Sequence, residues 1–262
     1  MTLQAPDGVK RRIRRAERLR LFLDYDGTLA EFAPTPEHVE PDPEVISILR
    51  KLADHPGIRP MVISGRRLAH VKRLLPVPEV LLAGTYGVEL RLPTGEDVER
   101  IDHAEVRPVL ELIKRRWEAI IAEEDGFFLE DKGWALAIHG RYAAAAEAED
   151  VLGEAKAETE AMLTGAPPEL FRILGGHKFL EVGPTLAHKG QTVDYLLERY
   201  PWPGALPLYV GDDDKDEEAF SVIHAHGGLA IRVCESSCET AADGRLRSPE
   251  EARHWLRKLV GD

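Results

Sequence analysis

Asp24 and Asp26 stand two residues apart, directly after the apolar run Leu19–Leu23, and Gly27 and Thr28 follow at once. On an extended segment residues i and i+2 face the same way, so both carboxylates project together from the strand end. Two like charges that close are costly unless a cation or a shared proton compensates them. A stabilising core would not select this arrangement, whereas a metal-assisted phosphoryl-transfer site would. Ser64, Lys189 and the acidic run Asp212, Asp213 and Asp216 lie far away in sequence but also at ends of expected elements. Together they outline a carboxylate-rich cleft suited to Mg²⁺, an ion that prefers oxygen ligands. Lys189 and Ser64 would hold a phosphate and neutralise charge spread over its oxygens. Asp24 would attack as a carboxylate nucleophile, giving an aspartyl-phosphate. Asp26 would protonate the leaving alkoxide and then activate water.

The elements that must position these groups alternate. Residues 19–23 form a short continuous apolar run that fits a buried parallel strand. A helix is expected over 41–54, a strand over 59–63, a short helix over 68–75 and a strand over 80–83, with 88–92 following the turn at 84–87. From 184 onward the alternation returns, with helices at 188–200, 217–226 and 249–260 around strands at 206–210 and 229–233. This pattern predicts an α/β fold with a doubly wound parallel sheet, whose functional groups gather at the C-terminal strand ends. The middle differs: long helices over 105–124 and 143–163, and two strand pairs, 127–130 with 134–139 and 171–174 with 178–182. We expect a core built from 1–102 and 184–262, and an inserted α+β cap domain over 103–183.

Composition narrows the partners. The chain has 262 residues, 44% hydrophobic and 31% charged, and a formal net charge of −12, which argues against nucleic acid. No stretch is apolar enough for a membrane span. The basic run 10–18 is followed by only three apolar residues before Asp24, so it reads as a solvated helix rather than a secretory signal. Cys234 and Cys238 are expected as reduced thiols. His103, His177 and His188 show no partner spacing and are expected to face solvent. The expected protein is a cytoplasmic monomer acting on a small molecule.

With Asp24-Tyr25-Asp26-Gly27-Thr28, Ser64, Lys189 and Gly211-Asp212-Asp213-Asp214-Lys215-Asp216 in that order, the chain resembles the haloacid dehalogenase (HAD) phosphatases. The resemblance implies a HAD-like core with Asp24 as nucleophile, Asp26 as acid/base with its backbone carbonyl on the metal, and Asp212 as a Mg²⁺ ligand. Asp213 and Asp216 would lie in or beside the metal shell, and Thr28, Ser64 and Lys189 would contact phosphate. Asp26 to Ser64 is only 38 residues, while Ser64 to Lys189 is 125, which places the cap between the second and third motifs. That is similar to the sugar-phosphatase branch, and within it to the trehalose-6-phosphate phosphatase family. Ser64-Gly65-Arg66, Leu129-Glu130-Asp131-Lys132-Gly133, His139-Gly140-Arg141 and Leu180-Glu181-Val182 carry that likeness.

The family resemblance implies hydrolysis of trehalose 6-phosphate, with Glu130, Lys132 and Glu181 on sugar hydroxyls and a cap that closes over the substrate. Trp134 is expected to add an apolar face, and Arg66 to serve cleft electrostatics or substrate contact. The alternatives are a sucrose-, glucosylglycerol- or mannosylglycerate-type phosphate as substrate, or a non-catalytic domain that binds a phosphosugar. Three positions depart from the family pattern: Lys215 where threonine is usual, Tyr86 where histidine is common, and Gly183 where arginine is frequent.

Overall fold

The computed structural model describes residues 3–32, 39–165, 167, 169–236 and 238–261. In chain order the elements are α1 (Asp7–Arg15), β1 (Leu19–Leu23), α2 (Pro43–Asp54), β2 (Ile58–Ile63), α3 (Leu68–Leu74), β3 (Leu81–Gly84), β4 (Glu89–Arg91) and β5 (Asp97–Glu99). Then come α4 (His103–Ile120), β6 (Phe128–Asp131), β7 (Leu136–His139), α5 (Ala145–Leu163), β8 (Phe171–Gly176) and β9 (Phe179–Pro184). The chain finishes with α6 (Lys189–Arg199), β10 (Leu206–Gly211), α7 (Asp214–Ala225), β11 (Leu229–Val233), β12 (Gly244–Leu246) and α8 (Pro249–Leu259). It divides into two compact units, one of Met1–Val98 with His188–Asp262, the other Glu99–Ala187.

The first unit holds an eight-stranded sheet in the order β12-β11-β10-β1-β2-β3-β4-β5. The pairs from β12 through β3 are parallel, and β4 runs antiparallel to β3. β1 lies between β10 and β2, and all five of its residues are buried. Its alternation separates two cores. Leu21 and Leu23 pack with Val45, Ile48, Leu49 and Leu52 of α2 and Leu256 of α8, while Phe22 packs with Val193, Leu196, Phe220 and Ile223 of α6 and α7. Helices on both faces make the sheet doubly wound. Even the buried Arg20 fits this scheme, because its Nη2 donates to the Leu196 carbonyl near the end of α6 at 2.8 Å. A cation there sits at the negative end of the helix dipole.

Local chemistry sets the helix starts. Asp42 accepts from the Glu44 amide at 2.8 Å and Pro43 follows it, so α2 begins at Pro43, two residues later than the sequence suggests. His188 does not simply face solvent. It caps α6, accepting from the Gln191 amide at 3.3 Å, and its Nδ1 lies 3.1 Å from Glu218 Oε2. The cysteine expectation is likewise corrected: Cys234 and Cys238, which follow β11, form a disulfide.

The second unit is a four-stranded antiparallel sheet, β6-β7-β9-β8, packed with α4 and α5. Trp117 of α4 is fully buried, and its indole N–H donates to Thr159 Oγ1 of α5 at 2.9 Å. Trp134 is also buried, at 3% exposure, edge-on to His103. It therefore offers no apolar face to a ligand, and the exposed aromatic of this unit's sheet is Phe128 on β6.

Candidate active site

The chain leaves β1 with one more sheet bond, from the Asp24 amide to the Val210 carbonyl at 3.0 Å. It then folds back on itself. Gly27 takes φ 79° and donates to the Ala30 carbonyl, while the amides of Leu29 and Ala30 donate to the carbonyl of Tyr25. Positive φ is costly for a residue with a Cβ. A Cβ at Gly27 would also sit 2.2 Å from Asp212 Oδ2, so this glycine lets the Asp212 loop approach the Asp24 loop.

Lys189 begins α6 and is 2% exposed. Its ammonium lies 3.0 Å from Asp24 Oδ1, 2.7 Å from Asp216 Oδ1 and 3.3 Å from Asp213 Oδ1. Burial alone would depress this lysine, but Asp216 and Asp24 outweigh it and hold its pKa well above the ordinary value. Burial pushes the Asp24 carboxyl up, Lys189 pulls it back, and the nearby Asp216, Asp212 and Asp213 add to the rise. Asp216 is pushed up to about 6 by burial, against the pull of Lys189. These shifts are the electrostatic cost of concentrating carboxylates around one lysine.

Oxygen atoms of Asp24, Asp212 and Asp216 all lie within 4.8 Å of one another, a separation that a single cation can bridge. Asp212 also accepts from Thr28 Oγ1 at 3.0 Å, so the expected phosphate contact Thr28 is buried and positions a carboxylate. Asp216 is fully engaged. Oδ1 accepts from Lys189 and from Tyr209 Oη at 2.7 Å, and Oδ2 accepts from the amides of Asp212 and Asp213 at 2.9 and 3.0 Å. Its four acceptor positions are thereby used in shaping the loop. Asp213 caps α7 by accepting from the Asp216 amide at 3.0 Å.

Asp26 is held by a different partner. Arg66 grips it with two bonds, Nε to Oδ2 at 2.7 Å and Nη2 to Oδ1 at 2.6 Å. A bidentate guanidinium–carboxylate pair is a geometrically specific contact, and here it links the acid/base candidate to the loop carrying Ser64. Ser64 is 1% exposed, and its Oγ accepts from the Arg66 amide at 3.1 Å.

In the second unit the cap residues Glu130, Lys132 and Glu181 come together. Lys132 Nζ is 2.5 Å from Glu181 Oε2 and 3.8 Å from Glu130 Oε2. His139 joins them, with Nε2 2.9 Å from Glu130 Oε2 and its ring stacked on Phe128. Burial would raise the Glu130 carboxyl, but His139 and Lys132 outweigh it and lower its pKa. Asp131, between Glu130 and Lys132, instead braces β6 to α4 through Arg107 Nη1 at 2.7 Å and Lys114 Nζ at 3.0 Å.

Several contributors carry no clear mark in the sequence. His139 stands opposite Phe128 in the β6–β7 ladder and reaches Glu130 diagonally, two residues along the same face, a relation that strand register alone reveals. Tyr209 reaches Asp216 from inside β10, where it reads as an ordinary core aromatic. Arg232, at the end of β11, donates to the Asp213 carbonyl at 2.8 Å and to Glu217 Oε1 at 2.8 Å, steadying the start of α7. A basic residue in an otherwise apolar strand is its only signal.

Comparison with known proteins places these motifs in a wider set. Residues 22–250 match the Trehalose-phosphatase family. A probable trehalose-phosphate phosphatase 3 of Oryza sativa subsp. japonica is 31% identical over 259 residues, covering 92% of this chain and 69% of the relative. A trehalose-phosphate phosphatase of Mycobacterium bovis is 32% identical over 246 residues, covering 92% of this chain and 61% of that one. Among solved structures, a trehalose-6-phosphate phosphatase of Aspergillus fumigatus superposes with a TM-score of 0.71 at 26% identity, covering 99% of each chain.

Proposed function

The chain belongs to the trehalose-phosphatase family, whose members are phosphoric monoester hydrolases, and on that premise we propose that it is a Mg²⁺-dependent hydrolase of trehalose 6-phosphate. The observation that carries the reading is the meeting of Asp24, Lys189, Asp212 and Asp216, from three distant segments, beside an Arg66-held Asp26. The donor set fits Mg²⁺. It consists of carboxylate oxygens within 4.8 Å of one another, burial and carboxylate repulsion push Asp24 up despite Lys189, and Gly27 leaves room where a Cβ would collide with Asp212. Asp24 and Asp212 would hold the ion, with Asp216 organising the loop from behind. The bound ion would stabilise negative charge on the phosphoryl oxygens.

The chain's own groups supply the remaining chemistry. Lys189 orients the Asp24 carboxylate and offers its ammonium to the phosphoryl group. Asp24 attacks phosphorus, the bond to the sugar oxygen breaks, and Asp26 supplies a proton to the departing alkoxide. The resulting aspartyl-phosphate is hydrolysed when Asp26 takes a proton from water. Arg66 positions Asp26 for both roles. In the second unit, Glu130, Lys132, His139 and Glu181 present both acceptors and donors, the complement that sugar hydroxyls require, so we assign sugar recognition to that group.

Phosphate release from a panel of phosphosugars tests this reading. Trehalose 6-phosphate should be preferred, EDTA should abolish turnover and excess Mg²⁺ restore it. Asp24→Asn should lose activity by at least about 10³-fold while its circular dichroism is unchanged. Clear preference for another phosphosugar would displace the substrate, and an active Asp24→Asn would displace the mechanism.

A further inference from the structure

Two of the three departures from the family pattern prove to touch each other. Lys215 Nζ donates to Tyr86 Oη at 2.6 Å and lies 4.5 Å from the centre of the tyrosine ring. Residues 129 positions apart have thus become a charge-assisted hydrogen bond with a cation–π component. Neither residue is placed as its local structure would choose. Lys215 is the second residue of α7, where a cation opposes the helix dipole at a cost of about 0.3–1 kcal/mol. Tyr86 has φ 55°, following Thr85 at φ 46°, a conformation that side chains rarely adopt. Unfavourable local choices held in place by their surroundings mark functional positions.

The surroundings hold this turn firmly. The Tyr86 amide donates to the Ser64 carbonyl and the Thr85 amide to the Arg66 carbonyl, both at 2.8 Å. Thr192 of α6 donates from Oγ1 to the Tyr86 carbonyl at 2.7 Å. The tyrosine ring lies so close to Gly65 that a Cβ there would come within 2.7 Å of it. Tyr86 Oη is therefore fixed relative to Ser64 and to the helix that begins with Lys189. Lys215 in turn stands on the same loop-to-helix junction as Asp213 and Asp216, the carboxylates that Lys189 approaches at 3.3 and 2.7 Å.

Charge shows what such a lysine would accomplish. Asp24, Asp212, Asp213 and Asp216, set against Lys189 and one divalent cation, leave a formal charge of −1 facing a substrate that is itself anionic. Arg66 does not correct this, because Asp26 neutralises it. Lys215 brings the site to zero. We propose that Lys215, held in place by Tyr86, is an additional phosphate-binding residue of this chain, a second ammonium acting beside Lys189 on the phosphate end of the substrate. The proposal deepens the phosphatase reading and rests on it.

The test compares Lys215→Thr, Lys215→Arg, Tyr86→Phe and the Lys215→Thr/Tyr86→Phe double variant with the wild type. Three quantities are read in Mg²⁺ buffer: KM and kcat for the phosphosugar, competitive inhibition by inorganic phosphate, and phosphate binding by calorimetry. Lys215→Thr should raise KM and weaken phosphate binding by about fivefold, the size expected of one partly exposed charge. kcat should fall by less than KM rises, and Lys215→Arg should retain most of the phosphate affinity. The double variant should be no worse than Lys215→Thr alone, as for residues acting as a unit. Phosphate affinity within twofold of wild type in Lys215→Thr would overturn the proposal, whether or not the melting temperature falls. Fully additive effects of the two single variants would overturn the pairing. A wild-type protein that hydrolyses no phosphomonoester would refute the phosphatase reading, and calorimetry would still report separately on Lys215.

Discussion

Gly27→Ala separates a catalytic role for the loop after β1 from a merely structural one. The substitution carries two costs. At φ 79° an alanine must hold a left-handed backbone, at about 1–2 kcal/mol. Its methyl group would also sit 2.2 Å from Asp212 Oδ2 and 2.5 Å from Asp212 Cγ, where approaches under 3.0 Å essentially never occur. Asp212 must retreat by roughly 0.8 Å or more, and displacements near 1 Å in a reacting constellation can cost about 10²-fold. That corresponds to about 2.7 kcal/mol of transition-state stabilisation. Gly95→Ala is the matched control: Gly95 has φ 87°, and a methyl group added there would meet nothing within 4 Å, so it carries the backbone cost alone. Thermal melts should show similar modest losses for both variants. Phosphate release against Mg²⁺ concentration should show a kcat/KM about 10²-fold lower, with half-saturation at higher Mg²⁺, for Gly27→Ala only. Equal activity in the two variants would refute the claim that Gly27 exists to admit Asp212.

Other perturbations probe the charges. Lys189→Met leaves Asp24, Asp213 and Asp216 without their common cation, and breaking such a buried pair costs about 3–5 kcal/mol; the melting temperature should fall, and Mg²⁺ should restore more stability than it adds to the wild type. Asp131 is held well below the usual carboxylate range, chiefly by its bond to Arg107, with help from the Gly133 amide and Lys114. Because its folded pKa is depressed, its contribution is fully present above the unfolded value of about 4 and is lost as pH falls below it. Acid titration of thermal stability should show that loss in the wild type, and Asp131→Asn should flatten it. Thr159→Val removes the acceptor of the buried Trp117 N–H, which keeps only a longer approach to the Ala155 carbonyl at 3.3 Å, and should destabilise by about 1–2 kcal/mol in a urea melt.

Much of the first unit was readable because its signals are local. The apolar run 19–23 is β1 itself, since a strand buried on both faces needs every residue apolar or tethered. The meeting of Asp24 and Asp212 follows from one topological rule, that parallel strands deliver their C-terminal ends to one edge. What stayed hidden depends on pairing between segments. Nothing in Ser64-Gly65-Arg66 announces that Arg66 will grip Asp26, or that Asp216 will exhaust its acceptors on its own loop. The turn Glu130-Asp131-Lys132 looked uniformly suited to a ligand, yet register turns Asp131 toward α4 and leaves its neighbours with Glu181 and His139. The short strands β5 and β12 carry too few residues for a period to emerge.

The order of segments in the sheet has a consequence for biosynthesis. β1 pairs with β10 in the register Leu19↔Leu206, across 187 positions of chain. At about 5–20 residues per second, a ribosome needs roughly 10–40 s to deliver the second strand after the first. Throughout that interval one edge of a strand whose residues are all buried in the finished fold lacks its partner. The second unit, contiguous from Glu99 to Ala187, is complete before β10 is made. Nascent chains stalled between these points should therefore carry a folded insert attached to an unfinished sheet, the species on which holdase chaperones would act.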